Sequence, residues 1–218
     1  TVLYYAIASI LLTGRSRKVN IRENKSNFIN TMIGFKEEMA NFLNRSIYQK
    51  DIEEMRSGYE GKFSKERFKE YFVKKTTLHI VSKYIFIRMV TEAQKLTSPK
   101  LNIEGITNWN EMSKNYRRDY LMLFKKASED LRRLEQTREF FEPCIYDNYI
   151  DKMEYSIFNK NNDNLIERLK DYDFRTLDPN TAASLFDSLY PSEDRGNLQG
   201  FLDDSKIITY LMKSLGLL

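Results

Sequence analysis

Ser64 to Leu96, SKERFKEYFVKKTTLHIVSKYIFIRMVTEAQKL, is the stretch whose reading decides the fold class. Ser64 is a helix-capping residue, and Glu66 falls in the first turn after it, where a carboxylate complements exposed backbone N–H groups. Phe68, Phe72, Leu78, Val81, Ile85, Met89 and Leu96 then follow at helical spacing and predict one buried face on a long amphipathic helix. Ser98-Pro99 is expected to end it, because proline disfavours helical geometry in the residue before it.

The same period extends outward on both sides. Upstream, Phe28, Met32, Phe35, Met39, Phe42, Leu43 and Ile47 form a second stripe that begins near Ser26, and Gly58 and Gly61 interrupt the pattern. Downstream, a loop to about Asn108 leads into a predicted second long helix from Trp109 to about Leu134. Its apolar side carries Trp109, Met112, Tyr116, Tyr120, Leu123, Ala127, Leu131 and Leu134. Shorter helices are expected around Ile145–Phe158 and Asn164–Lys170, joined by a loop at Asn159–Asn162. The reading is an all-α, multi-helix domain with two long amphipathic helices and several shorter ones. Residues 1–160 are expected to form the helical bundle and residues 161–218 a helical connector.

Composition agrees with a folded helical protein. Of 218 residues, 41% are hydrophobic and 30% charged, too apolar for a disordered chain. Eight glycines and four prolines are too few for the tight turns of an all-β sandwich. A net charge of +4, from 35 basic against 31 acidic residues, permits an anionic partner without requiring one. Cys144 is the sole cysteine, which excludes an internal disulfide and fits a reducing, cytoplasmic setting. The apolar run VLYYAIASILL near the start is about half the length that crosses a bilayer. It lacks the positive residues of a signal segment, so a buried first helix is expected and no membrane partner. A chain that opens on Thr1 is expected to be cut from a longer polypeptide.

Candidate chemistry is sparse. His79, the sole histidine, lies in a predicted helix with no cysteine, serine or acid spaced to act as its partner, so a packed helical histidine is expected. One cysteine and one histidine do not make a structural zinc set, so no metal ligands and no catalytic residues are assigned. Glu60-Gly61-Lys62 has the form of half a metal-dependent nuclease site, with Asp51 nearby, but a solvated turn is the better reading. The basic residues are more suggestive. Lys114, Arg118, Lys125 and Arg132 would fall within about 40° of one another on a continuous helix, opposite its apolar side. They are candidates to follow a phosphate backbone. Arg15, Arg17 and Lys18 form a basic loop that is a second candidate phosphate contact.

The last fifth of the chain, Leu169 to Leu218, has the most specific punctuation. Asp178-Pro179 reads as an N-cap followed by proline at the first helical position, with Ala182, Leu185, Phe186 and Leu189 on one side of the helix. Tyr190-Pro191 ends it, a polar connector follows, and Ser205 can cap a last helix carrying Ile207, Ile208, Leu211 and Leu215. In this order, Tyr172-Asp173-Phe174, Leu177-Asp178, Leu185-Phe186, Leu189-Tyr190, Pro191, Glu193, Arg195, Leu198, Phe201, Ile207-Ile208 and Tyr210-Leu211 resemble a segment of N6-adenine DNA methyltransferases. The methyltransferases in question are those of restriction-modification and phage-exclusion systems. Leu78 to Glu92, with Lys83, Phe86 and Arg88, is similar to a helix upstream of that segment in the same family. Where the family has tyrosine-threonine-proline, this chain has Leu202-Asp203-Asp204.

The resemblance implies a helical region that precedes the catalytic core, braces it and positions double-stranded DNA. It implies S-adenosylmethionine as cofactor of the parent protein, with Phe201 near the edge of its pocket. The partner would be the catalytic domain of the same polypeptide. This chain has neither a glycine-rich cofactor turn nor the asparagine-proline-proline-aromatic adenine pocket, so it is expected to be catalytically silent alone. The residues by themselves also allow a stand-alone helical protein-interaction module with no nucleic-acid role.

Overall fold

The computed structural model describes residues 18–44, 49–57, 64–98, 100–113, 119–144, 146–147 and 165–189. A two-residue strand, β1 (Val19–Asn20), turns into helix α1 (Lys25–Leu43). The stripe on α1 is buried as its spacing predicts, with Phe28, Met32, Phe35, Met39, Phe42 and Leu43 all in the core. A shorter helix, α2 (Gln49–Ser57), precedes the long helix α3 (Lys65–Glu92). Ser64 caps α3 by accepting a hydrogen bond from the Arg67 N–H, which satisfies one of the orphan donors of the first turn.

The first part of α3 is amphipathic, but the second is not. Every residue from Thr76 to Glu92 except His79 is buried, so this half is surrounded rather than faced on one side. The neighbours of α3 as a whole are α1, α2, a later helix, α5 (Tyr120–Arg132), and a 3-10 turn at Phe174–Thr176. The helix ends at Glu92, earlier than Ser98-Pro99. The chain turns through Lys95, whose φ of 54° lies in the left-handed region, and Leu96 is left 38% exposed beyond the helix.

The single long helix expected from Trp109 to about Leu134 is instead two helices, α4 (Ile103–Met112) and α5. Local capping outweighs the apolar period here. Asn102 accepts from the Gly105 N–H to start α4, and Ser113 leaves helical geometry at φ −103°, ψ 64°. Asp119 then starts α5 by accepting from the Met122 N–H. Tyr120, Leu123, Ala127 and Leu131 are buried as expected, but Met112 is 78% exposed and Trp109 and Leu134 are only half-buried.

Helix α6 (Arg138–Phe141) follows, and the described residues resume at α7 (Leu165–Leu169), where the segment Asn164–Lys170 predicts it. A second two-residue strand, β2 (Tyr172–Asp173), pairs in parallel with β1, with Val19 opposite Tyr172 and Asn20 opposite Asp173. This bridge is the only sheet among the described residues of an otherwise helical chain. The last described helix, α8 (Pro179–Leu189), is capped by Asp178, which accepts from the Thr181 N–H. Residues 165–189, the described part of the expected connector, share one hydrophobic core with the upstream helices. Of the helix expected at Ile145–Phe158, Tyr146 and Asp147 are described and lie in a turn. The apolar start, the Glu60-Gly61-Lys62 turn and the helix after Ser205 lie outside the described residues.

Candidate functional site

Helix α3 carries two polar centres within its buried half. The first is Arg88, fully buried, whose guanidinium fork reaches three separate backbone segments. It donates to the carbonyls of Leu101 (3.3 Å), Leu169 (2.9 Å) and Tyr172 (2.6 Å), and to the Tyr84 hydroxyl (2.8 Å). Its Nε also donates to Glu92, one turn on, and the Phe174 ring lies beneath it at 4.3 Å. Glu92 in turn accepts from the Phe174 N–H at 3.4 Å. Burial, the dominant influence, pushes the Tyr84 hydroxyl pKa up to about 12, so it remains a neutral partner to the guanidinium. A planar, always-charged fork suits this place because three carbonyls and a carboxylate converge on it.

The second centre lies one to three turns nearer the start of α3. His79 and Lys83 are one turn apart, so both side chains project from the same face. The loop after α6 brings Cys144 and Asp147 against them. Asp147 Oδ1 accepts from His79 Nε2 at 2.9 Å and from Lys83 Nζ at 2.6 Å, and its Oδ2 accepts from the Cys144 backbone N–H at 2.9 Å. Cys144 Sγ sits 3.5 Å from the same His79 Nε2. The Tyr146 ring packs beside the imidazole at 5.8 Å.

Burial lowers the His79 pKa below its ordinary value, against the hydrogen bond to Asp147, so the ring is neutral at pH 7. Burial alone would raise the Asp147 pKa. The hydrogen bonds from His79 and Lys83, with the Lys83 charge, outweigh it and hold the carboxyl well below the usual carboxylate range. Burial, helped by the neighbouring Asp147 charge, pushes the Cys144 thiol up. The arrangement is not a nucleophilic relay. In such a relay the imidazole uses one nitrogen for the nucleophile and the other for the orienting acid, whereas here sulfur and carboxylate meet at one nitrogen, beside a thiol kept protonated. Instead, His79, Cys144 and Asp147 present three ligand atoms within 4.8 Å of one another.

His79 therefore has partners, contrary to the lone packed histidine expected from the sequence. They lie 65 and 68 residues away along the chain, a separation that carries no local signal. The basic strip is only partly described. Lys125 and Arg132 lie seven residues apart on α5 and share a face, where Lys125 is half-buried and Arg132 pairs with Glu129 at 3.2 Å. The continuous helix that would align them with Lys114 and Arg118 does not form. Lys114 and Arg118 themselves, with Arg15, Arg17 and Phe201, lie outside the described residues, and Lys18 is exposed just before β1. Among the described residues, no helix is long and apolar enough to cross a membrane. No protein-family model, curated protein or solved structure matches the chain.

Proposed function

We propose that this chain is the helical, non-catalytic part of an N6-adenine DNA methyltransferase of restriction-modification type. It braces the catalytic domain of the same polypeptide and positions duplex DNA in the cytoplasm. One observation supports this reading above the others. The two stretches that resemble the family, Leu78–Glu92 and the segment opening at Tyr172-Asp173-Phe174, lie about 80 residues apart yet meet in one buried contact. Arg88 holds the Leu169 and Tyr172 carbonyls and stacks on Phe174, while Glu92 takes the Phe174 N–H. Methyl transfer from S-adenosylmethionine would belong to the catalytic domain, and Phe201 would approach the cofactor from this side.

The DNA-positioning part is tested by duplex binding followed by fluorescence anisotropy against salt. Lys125 and Arg132, which share a face of α5, predict a log–log slope of about −1.8, hence about a 10-fold loss of affinity between 50 and 200 mM salt. Changing Lys114, Arg118, Lys125 and Arg132 together to glutamate should abolish that dependence. Duplex affinity left intact by the four substitutions removes these residues from the interface. Absence of any salt-dependent binding favours a protein-interaction module instead.

A further inference from the structure

We propose that His79 Nε2, Cys144 Sγ and Asp147 Oδ1 form a binding site for one divalent ion of zinc type. This inference concerns α3 and the loop after α6, and does not rest on the DNA reading. The three donors are nitrogen, sulfur and carboxylate oxygen, the set preferred by a borderline-soft cation and poorly suited to magnesium or calcium. The spacing fits as well. A tetrahedral ion with bonds of about 2.3 Å to sulfur and 2.0 Å to nitrogen has an S···N edge of about 3.5 Å. The observed Sγ–Nε2 separation is 3.5 Å, while Oδ1, 2.9 Å from the same nitrogen in a hydrogen bond, would open to an edge of about 3.3 Å around the ion.

A second observation points the same way. The Cys144 backbone N–H donates to Asp147 Oδ2, leaving Oδ1 turned toward the imidazole and fixing the carboxylate as an outer-shell hydrogen bond does in metal sites. The ion takes the place of the proton shared between His79 and Asp147. The imidazole's single proton moves from Nε2 to Nδ1 by exchange with solvent, which frees the Nε2 lone pair for the metal. The Cys144 S–H bond breaks as the metal–sulfur bond forms, and that proton leaves to solvent. Thiolate and carboxylate together offset the two positive charges of the ion. Lys83, 3% exposed and 2.6 Å from Oδ1, is the repulsive neighbour and limits the affinity.

Cobalt(II) titrated into the metal-free chain is the direct test, because a cobalt–thiolate bond absorbs in the near ultraviolet and tetrahedral cobalt in the visible. One equivalent should produce both bands, and zinc should then bleach them. Cys144→Ser should lose the near-ultraviolet band, and Asp147→Asn should weaken cobalt binding by about tenfold or more. Zinc should raise the melting temperature of the wild-type chain but not of Cys144→Ser. A folded wild type that stays colourless with excess cobalt overturns the proposal, and no variant is needed for that outcome. Tetrahedral cobalt bound by Cys144→Ser with the affinity of the wild type overturns it equally.

Discussion

The two buried cations of α3, Lys83 and Arg88, lie little more than a turn apart and are held in opposite ways. Arg88 is saturated: its partners are three backbone carbonyls, a tyrosine hydroxyl and a carboxylate from its own helix, all in the core. Lys83 has one carboxylate, brought by a loop, and shares it with His79. The Arg88 centre joins the loop before α4, the end of α7 and strand β2, so it reads as a fastener of the fold. The Lys83 centre sits at the edge of the core, where Asp147 keeps 21% of its side chain exposed, and a protonated thiol lies beside a neutral imidazole. Saturation marks a structural centre, and spare ligand capacity marks a place where something else can bind.

The largest effect should come from breaking the saturated centre. Arg88→Ala leaves Glu92 as a buried, unpaired carboxylate and is expected to cost about 3–5 kcal/mol in chemical denaturation. A sharper form replaces both members, Arg88→Met with Glu92→Leu. Buried ion pairs often tolerate such replacement, but here the Leu101, Leu169 and Tyr172 carbonyls would also lose their donor. The double variant should therefore stay destabilised by about 2 kcal/mol. If it matched the wild type, the carbonyl contacts would be incidental and the contrast between the two centres would collapse.

The approach of α4 to this fastener depends on Gly105. A Cβ built there would lie 2.1 Å from the Lys100 carbonyl oxygen, which is backbone and has little room to move. Gly105→Ala is expected to cost about 2 kcal/mol by thermal or chemical melting, through displacement of the segment that carries the Leu101 carbonyl. At the open centre the loss should be smaller. Asp147→Ala removes the partner of Lys83, His79 and the Cys144 N–H together, yet water can enter at this rim, so about 1–2 kcal/mol is expected in the metal-free chain. A loss as large as that of Arg88→Ala would make the second centre as structural as the first.

The contrast also explains which parts were legible in the sequence. The stripe of α1 and the caps at Ser64 and Asp178 are local, and each was readable from residues within a turn or two. The α4–α5 break was also local, but it rests on two caps, Asn102 and Asp119, set against an apolar period that runs unbroken through the gap. Arg88 could be read as part of a helix but not as a hub. Its acceptors are mostly main-chain carbonyls, which every residue possesses and no letter advertises. The encirclement of the second half of α3 was hidden for a related reason: Thr76, Ser82, Lys83 and Glu92 are polar letters, and only tertiary packing buries them. His79, Cys144 and Asp147 were visible as residues and invisible as a group, because folding rather than spacing brings them together.

The smallest effect belongs to a purely local device, and pH tests it. Asp178 accepts the Thr181 N–H at 3.1 Å and the Thr181 hydroxyl at 2.8 Å, and Arg22 lies 3.6 Å away. The hydrogen bond from Thr181, chiefly, holds its pKa below the ordinary carboxylate value. A depressed folded pKa means that the contribution of the charge is complete above the unfolded value of about 3.9. It is then lost as pH falls through the folded value. Asp178→Ala should therefore cost about 1 kcal/mol at pH 7, and the gap to wild type should narrow below pH 4 or so. Asp178→Asn keeps a capping oxygen without the charge, so its stability relative to Asp178→Ala should hardly vary with pH. A gap between wild type and Asp178→Ala that stays constant into acid would mean that the ionised carboxylate contributes nothing beyond filling the cap. Helix α8 would then owe its start to Pro179 and to the burial of Ala182, Leu185 and Leu189.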